Sequence, residues 1–302
     1  MESSTNIPSN VILYEIIART SQATVGRCRS VCKRWKEDIY GSSFTQLFLQ
    51  RTKTVSGFFI QTMKSNNSSS TFISMNKSST LSLRFLPRHI KIEASTKQGL
   101  LLCNDVNPSK STTPRYIICK PTTQQWQTIP NPKMRYFTRK TAMVVLGSSP
   151  LRFKIVRFSE PKHPSITNKS GTFNVLRCEV FDSKTWSLKC LPDNVMFPHG
   201  ETLGFRPMVS TYGVLHTHTT EKRIFAFDSE KERWEIFALP YPLREDDYGD
   251  MQLVECEGRL GLICMVREKC MELWVVEDYY GQRTWTRRNQ ISLNERLIRE
   301  EN

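Results

Sequence analysis

The chain has 302 residues, of which 38% are hydrophobic and 24% charged, and its formal net charge is +14. No apolar run approaches the ~20 residues of a membrane-spanning helix, and the first ten residues lack the features of a secretory signal. Nine cysteines without a Cys-x-x-Cys pair favour reduced thiols over disulfides or structural zinc. The composition therefore predicts a soluble protein of the cytoplasm, the nucleus or both.

The first 50 residues contain short amphipathic helical patterns separated by breaks. Pro8, followed by capping residues such as Asn10, predicts a helix start. Further helices are predicted at 22–31 and 32–40. The apolar face of the first helix consists of Val11, Ile12, Leu13, Ile16 and Ile17. About 40 residues can hardly bury this much apolar surface among themselves, so the pattern predicts a face that another protein covers.

The same stretch resembles the F-box of plant proteins. The matching residues are Ile7-Pro8, Glu15-Ile16-Ile17, and Arg27-x-Arg29-x-Val31-Cys32-Lys33-x-Trp35. Asn10 stands where an acidic residue is usual, and Thr20-Ser21 replaces Leu-Pro. Tyr14 makes the first helix one residue longer than in most F-boxes.

This resemblance implies that the chain binds a Skp-type adaptor and, through it, a cullin. Carried over by position, the adaptor-binding residues are Ile7, Pro8, Val11, Ile12, Ile16, Ile17, Val31, Cys32, Lys33 and Trp35. The apolar members would supply buried area, Pro8 would fix the helix entry, and Lys33 would contact the rim. Without the resemblance, the pattern also fits a helical hairpin that packs onto the chain's own larger domain.

From Val55 onward, short apolar or alternating runs separated by turn residues predict β-strands. These runs are 57–62, 72–75, 100–103, 116–119, 142–146, 153–158, 177–181, 213–216, 224–227, 259–265 and 272–276. Two polar stretches, 66–70 and 161–170, are expected to be loops.

A degenerate repeat runs through this β region. Each copy has an apolar strand, a polar turn and a Trp, and the copies end on Trp126, Trp186, Trp234 and, more weakly, Trp285. The spacings of 60, 48 and 51 residues are near the ~50 of kelch-type blades. Each copy predicts a hairpin whose Trp re-enters the sheet, and hairpins must stack to bury both faces.

Three segments resemble the associated domain of plant F-box proteins: 99–103 (GLLLC), 253–262 and 272–278. The resemblance implies a kelch-like propeller. The predicted fold class is therefore a small all-α N-terminal F-box module at 1–50, followed at 51–302 by an all-β kelch-like propeller. Five or six blades are expected, which need not all be complete. A β-sandwich is the other fold that the strand pattern allows.

The resemblance implies the substrate-recognition subunit of a Skp–cullin–F-box ubiquitin ligase, which holds an unknown target protein and performs no bond chemistry. No catalytic, cofactor or metal site is predicted, because the sequence has no nucleophile elbow, phosphate loop or zinc-protease motif. His216 and His218 share one strand face but have no third ligand, so a surface strand is expected there.

Two other functions remain open at this point. With a degenerate F-box, the chain would be a propeller-type interaction or regulatory protein outside any ligase. Residues 51–150 also carry 15 basic and 2 acidic side chains, a charge that could neutralise nucleic-acid phosphates. A solvated basic face explains the same excess, and the stretch has no recognisable nucleic-acid-binding module.

Overall fold

A computed structural model of the chain describes residues 11–20, 24–25, 28, 31–40, 43–44, 47–48, 57–64, 67–75, 81–87, 89–106, 114–148, 150–239, 243, 248–267 and 270–293. Contacts divide the chain into two compact units, which we call the helical unit (Met1–Ile60 with Ser70–Ser82) and the β unit (Gln61–Ser69 with Leu83–Asn302). None of the described helices has the length and apolar character needed to cross a membrane. The boundary at residues 50 and 51 stays a prediction.

Helical structure among the described residues is confined to the N-terminal part. A π-helical turn at Ile12–Ile16 runs directly into a 3₁₀ turn at Ile17–Arg19, and helix α1 covers Lys33–Tyr40. Two strands follow, β1 (Gly57–Lys64) and β2 (Asn67–Ser74), which pair as a two-stranded sheet. The loop expected at 66–70 is therefore wrong from residue 67 onward, because pairing with β1 draws these polar residues into a strand.

Four antiparallel sheets, each a meander of consecutive main strands, make up the remaining described β structure. Sheet I contains β3 (Ile90–Ser95), β4 (Leu101–Asp105), β5 (Arg115–Lys120) and β6 (Gln125–Thr128). Sheet II contains β7 (Phe137–Ser148), β8 (Leu151–Glu160), β10 (Gly171–Asp182) and β11 (Ser187–Cys190). Sheet III contains β13 (Val209–Thr211), β14 (Val214–His218), β15 (Ile224–Asp228) and β16 (Arg233–Phe237). Sheet IV contains β17 (Tyr248–Cys256), β18 (Arg259–Val266), β19 (Cys270–Val276) and β20 (Trp285–Ser292).

Sheet II is wider than the others because β10 serves two sets of neighbours. The second half of β10 pairs with β8 and β11, whereas its first half pairs with β9 (Ser165–Asn168) and β12 (Val195–Pro198). The loop expected at 161–170 is therefore wrong in part, since it contains β9. All four residues of β9 are exposed, so the sequence offers no alternation of buried and exposed positions there.

All the predicted strand runs are confirmed, since each lies within a strand or overlaps one. The reason is visible in β15, where Ile224, Phe225, Ala226 and Phe227 are all buried. A strand covered on both faces reads as a continuous apolar run. By contrast, most of β20 is exposed, and it gave no such signal.

Neighbouring sheets pack face to face through three buried apolar clusters, one between sheets I and II, one between II and III, and one between III and IV. In the middle cluster, the ring of Phe158 meets those of Phe225 and Phe227 edge-on, at centroid distances of 5.4 and 5.6 Å. Four-stranded sheets stacked in succession are a propeller-like arrangement. The described residues form four such sheets, whereas five or six blades were expected.

The turn before the last strand has a left-handed residue at an equivalent position in all four sheets, although the connection has four residues in sheets I to III and eight in sheet IV. Gln124, Trp186, Glu232 and Arg283 occupy its left-handed position, with φ between 49° and 56°. Two residues later stand Trp126, Leu188, Trp234 and Trp285, which face Cys119, Phe181, Phe227 and Val276 of the preceding strand. The prediction that Trp re-enters the sheet is confirmed for three copies and wrong for Trp186. That residue lies in the turn, and its ring packs edge-on against Phe181 at 5.1 Å.

Candidate functional site

The first helical segment is wider than an α-helix. The backbone N–H of Ile17 bonds to the carbonyl of Ile12, five residues earlier, as in a π-helix. The segment ends at Thr20, whose N–H and Oγ1 both donate to the carbonyl oxygen of Ile17, at 3.0 and 2.8 Å. A hydroxyl that bonds to the backbone in this way competes with continuation of the helix.

Cys32 precedes α1 and caps it. Its Sγ accepts the backbone N–H of Trp35 at 3.4 Å, the place that a Ser or Asp oxygen takes at other helix starts. On the polar side of α1, the Lys33 ammonium lies 3.9 Å from the Glu37 carboxylate. On the other side, Trp35 and Ile39 pack with the apolar core of this region.

That core is small, and it leaves apolar side chains uncovered. It consists of Leu13, Ile17, Ala18, Val25, Ile39 and Phe44. Val11, Ile16 and Val31 remain 44, 51 and 63% exposed. Burying a Val or Ile side chain is favourable by about 1.5–3 kcal/mol. These three side chains, here called the apolar face, are therefore groups whose burial by a partner would be favourable.

The ten residues predicted to bind the adaptor fall into four groups. Ile7 and Pro8 lie outside the described residues. Val11, Ile16, Val31, Cys32 and Lys33 are exposed, and Ile12 and Trp35 are half-buried at the edge of the core. Ile17 is 5% exposed, so it supports the apolar face from beneath. The adaptor-binding role of all ten stays a prediction.

A second candidate site lies in the β unit, a cavity of about 340 Å³ that all four sheets line. We call it the central cavity. Met143 and Val145 of β7 contribute apolar surface, and residues 208–213 of sheet III contribute further side chains and backbone. Lys97 of sheet I and Glu255 of sheet IV also line it, and these two side chains form an ion pair. The pair joins sheet I to sheet IV.

Tyr212 enters this cavity from a tight turn. Tyr212 and Gly213 have φ of 56° and 75°, as the two-residue turn of a type I′ hairpin between β13 and β14 requires. A residue with a side chain costs roughly 1–2 kcal/mol in this conformation. The Tyr212 ring stacks on that of Tyr279 with centroids 4.7 Å apart, a contact that offsets part of this cost.

Tyr212, Tyr279 and Tyr280 together form what we call the tyrosine cluster. The ring of Tyr280 meets those of Tyr279 and Tyr212 edge-on, at 5.1 and 5.9 Å. Tyr279 is fixed from below, since its hydroxyl lies 2.6 Å from Nε2 of His216. The cluster thus joins sheets III and IV.

His216 corrects one expectation, because its strand is not at the surface at this point. The imidazole is fully buried, with Thr211 and Tyr279 at its two ring nitrogens. Burial lowers the pKa of His216 to about 3 and raises the pKa of Tyr279. Both groups are therefore neutral at physiological pH and act as a structural link.

A buried ion pair fixes the segment that connects sheets I and II. The side chains of Arg157 and Glu179 are 2% and 0% exposed and bond to each other. Arg157 also donates to Thr138 Oγ1 at 2.8 Å and to the carbonyl of Met134 at 3.1 Å. Glu179 accepts the backbone N–H groups of Lys133 and Met134 at 2.9 and 3.1 Å. Because each charge is multiply hydrogen-bonded, the pair is tolerated in the interior.

Comparison with known proteins decides the family. A family model of the F-box associated beta propeller domain matches residues 46–301. The chain belongs to the F-box associated family. One F-box protein of Arabidopsis thaliana is 35% identical over 180 residues, which cover 57% of this chain and 95% of that relative. A second Arabidopsis F-box protein is 27% identical over 298 residues, covering 95% of this chain and 79% of the relative.

The resemblance to plant F-box proteins of the associated-domain group is thereby confirmed. Among solved structures, the SapL1 lectin in complex with alpha methyl fucoside overlaps 78% of both chains, with a TM-score of 0.43 and 10% identity. An overlap this loose does not establish a common fold. The propeller-like character of this F-box protein therefore rests on the family model and on its four sheets.

Sequence reasoning did not find the central cavity or the tyrosine cluster of this F-box protein. The only local signal was a Tyr-Tyr-Gly sequence at 279–281 inside a predicted turn, where a large aromatic residue has no packing reason to occur. The cavity could not be found at all, because its lining comes from four sheets whose mutual placement no local pattern encodes.

Proposed function

We propose that this F-box protein is the substrate-recognition subunit of a Skp–cullin–F-box ubiquitin ligase. The F-box module at 1–50 binds a Skp-type adaptor, and the domain at 51–302, a kelch-like propeller, binds the target protein. The protein contributes no bond chemistry. It raises the effective concentration of target lysines near the ubiquitin-charged enzyme. It acts in the cytoplasm, the nucleus or both.

The observation that carries this proposal is the apolar face in a chain of the F-box associated family. Val11, Ile16 and Val31 stand at positions where the F-box pattern has adaptor contacts, and all three are exposed. Half-buried Trp35 and buried Ile17 support them from the core. Three uncovered aliphatic side chains over a compact small core are what a partner-binding helical surface needs.

We further propose five or six blades for the propeller. The described part of the chain supplies four four-stranded sheets and the two-stranded hairpin β1–β2. Within the β unit, the side-chain amide of Gln61 donates to the carbonyl of Ile90 at 2.6 Å and accepts the N–H of Ile92 at 2.9 Å. This contact of Gln61 with β3 supports the part of the hairpin that lies in the β unit, residues 61–69, as belonging to a further, incomplete blade.

The test is binding of the full chain to a purified Skp-type adaptor. We expect the wild-type chain to bind and Ile16→Asp to bind at least about tenfold more weakly, since a charge would be buried in the contact. The matched control is Ile291→Asp, because Ile291 of β20 is similarly exposed, at 54%, and lies outside the F-box.

Failure of the wild-type chain to bind any Skp-type adaptor would overturn the proposal and favour a regulatory protein with a degenerate F-box. Equal loss of binding in both variants would overturn the role of the apolar face.

A further inference from the structure

Two cavities of the β unit meet at the tyrosine cluster. The central cavity borders Tyr212, and a groove of about 310 Å³ between sheets III and IV borders Tyr279 and Tyr280. In an antiparallel meander, the turns after the first and third strands lie at the same end of the sheet. Tyr212 lies in the turn after the first strand of sheet III, and Tyr280 lies in the turn after the third strand of sheet IV. Both cavities therefore face the same end of the β unit.

Tyr280 separates the two cavities with a ring that is 72% exposed. Its hydroxyl donates to the carbonyl of Tyr212 at 3.4 Å, and its neighbour Tyr279 is anchored on buried His216. An exposed tyrosine on a fixed support offers large contact area at a small cost in conformational entropy. Aromatic side chains of this kind are enriched among the residues that dominate binding energies at interfaces.

The two cavities have neighbouring rims at the cluster. Tyr212 borders the central cavity and Tyr280 borders the groove, and their ring centroids are 5.9 Å apart. Alternate side chains of an extended chain point to the same side at intervals of about 6.6 Å. A strand-like segment therefore crosses the distance between these two rims in about two residues.

The central cavity suits an uncharged side chain. Its lining is partly apolar, through Val145 and Met208, and partly uncharged polar, through residues such as Ser210. Lys97 and Glu255 neutralise each other. A second charge placed beside this pair would find no free partner there, whereas an apolar side chain would bury its surface against Val145 and Met208, which are only partly buried.

The groove suits a carboxylate. Lys231, Arg233 and Arg283 line it against two carboxylates, Asp228 and Glu235. Asp228 pairs with Lys231 at 3.6 Å, and Glu235 pairs with Arg283. Within the described part of the chain, Arg233 is left without a carboxylate partner. A guanidinium of this kind can bind an incoming carboxylate through two hydrogen bonds.

We infer that the target of this F-box protein docks an extended segment across Tyr280, with an apolar side chain in the central cavity and, two residues away, an Asp or Glu on Arg233. This inference rests on the proposed function, in which the β domain holds the target. It adds the chemical class of the segment and the residues that select it.

The probes are fluorescein-labelled peptides that bind the full chain in an anisotropy titration. The first has the sequence Gly-Ser-Phe-Ser-Glu-Ser-Gly and a second has the reverse order, so both chain directions are covered. In matched controls, Phe is replaced by Ser or Glu by Lys. We expect the better of the two directions to bind at least about tenfold more tightly than either of its controls.

Variants of the protein show which of its residues cause the selectivity for the Phe- and Glu-containing peptide. Tyr280→Ala should weaken binding about 30-fold, whereas Tyr280→Phe should keep it, because the ring supplies the contact. Arg233→Glu should reverse the preference, so that the Lys peptide binds more tightly than the Glu peptide. Phe205→Ala is the control, since Phe205 is 94% exposed and lines neither cavity.

Equal affinities for all peptides, no saturable binding, or unchanged binding by Tyr280→Ala and Arg233→Glu would each overturn the inference. Adaptor binding is measured on the same preparations. If the chain binds the adaptor but not the peptides, this inference alone is overturned. If the chain does not bind the adaptor, the proposed function is overturned.

Discussion

The helical unit and the β unit differ in how far selected apolar side chains are buried. In β15, the four residues 224–227 are each at most 1% exposed, because sheets cover both faces of the strand. In the helical unit, Val11, Ile16 and Val31 are between 44 and 63% exposed. The β unit encloses even a charged pair, Arg157 and Glu179, although it also has exposed aliphatic residues such as Ile291.

This difference shows where each unit obtains its stability. The β unit buries apolar clusters between its successive described sheets. Among the described residues of the helical unit, the buried core consists of six residues, and the exposed apolar face is what a domain needs when another protein supplies further contacts. Changes in either unit test this comparison. They are described below from the largest expected effect to the smallest.

The largest effect is expected at the interior charge of the β unit. Glu179→Ala leaves the Arg157 guanidinium buried without its counter-charge and removes the acceptor for two backbone N–H groups. We expect a loss of about 3–5 kcal/mol in the free energy of unfolding, measured by urea denaturation of the full chain. Glu179→Gln, which keeps the acceptor oxygen, should lose less. A loss below about 1 kcal/mol for the Ala variant would show that the pair is not buried as described.

The next effect contrasts two neighbouring aliphatic residues of the helical unit. Leu13 is fully buried and Ile16 is half exposed. Leu13→Ala should reduce the stability of this unit by about 2–3 kcal/mol through the cavity it creates, whereas Ile16→Ala should change it by less than about 0.5 kcal/mol. Thermal unfolding followed by circular dichroism measures both. Similar losses would mean that Ile16 belongs to the core and not to the apolar face.

Acidification should destabilise the β unit through His216. Burial lowers the pKa of His216 from 6.5 to about 3. Below pH 6.5 the imidazole is therefore protonated in the unfolded chain but stays neutral in the folded chain. The free energy of unfolding should therefore fall with a slope that approaches about 1.4 kcal/mol per pH unit once the unfolded imidazole is fully protonated, which amounts to roughly 1.5–2 kcal/mol between pH 6.5 and 5.

The control is His216→Gln, which cannot be protonated. Burial also lowers the pKa of His218, to about 4, so the variant should retain part of the slope. An unchanged slope between pH 6.5 and 5 in urea titrations would contradict the buried placement of His216.

The smallest effect concerns the repeated turn. Gln124 is exposed and has φ of 56°, so Gln124→Gly removes a left-handed conformation that disfavours side chains and should stabilise the chain by up to about 1 kcal/mol. Trp186→Gly at the same turn position should destabilise it, because Trp186 packs on Phe181. Calorimetric melting temperatures compare the two. Equal shifts would show that the Trp186 contact contributes nothing.

The sequence predicted those elements whose buried residues form a recognisable local pattern. β15 was evident as an apolar run, and the resemblance to plant F-box proteins was recognised in part from residues between Ile7 and Trp35. Strand β9 was missed because it has one apolar residue, Ile166, and all four of its residues are exposed, so it shows no alternation of buried and exposed positions. The Trp repeat was read correctly as a hairpin, but composition could not show that Leu188 takes the sheet position in the second copy.

For the candidate sites, too, the sequence predicted some features and missed others. Exposed and buried positions within one amphipathic turn, such as Ile16 and Ile17, look alike in a pattern and separate only when the core packs. His216 looked like a surface residue because its partner Tyr279 lies 63 positions away in the chain. Contacts of that kind depend on the mutual placement of the sheets, which no window of sequence contains.

Hydrogen–deuterium exchange of the full chain, with and without a saturating Skp-type adaptor, tests the central claim most directly. If the adaptor covers the apolar face, amide protection should increase in the segments 11–20 and 31–40, while exchange in β15 and β18 stays the same. Unchanged exchange in both helical segments, or new protection confined to the β strands, would contradict the account.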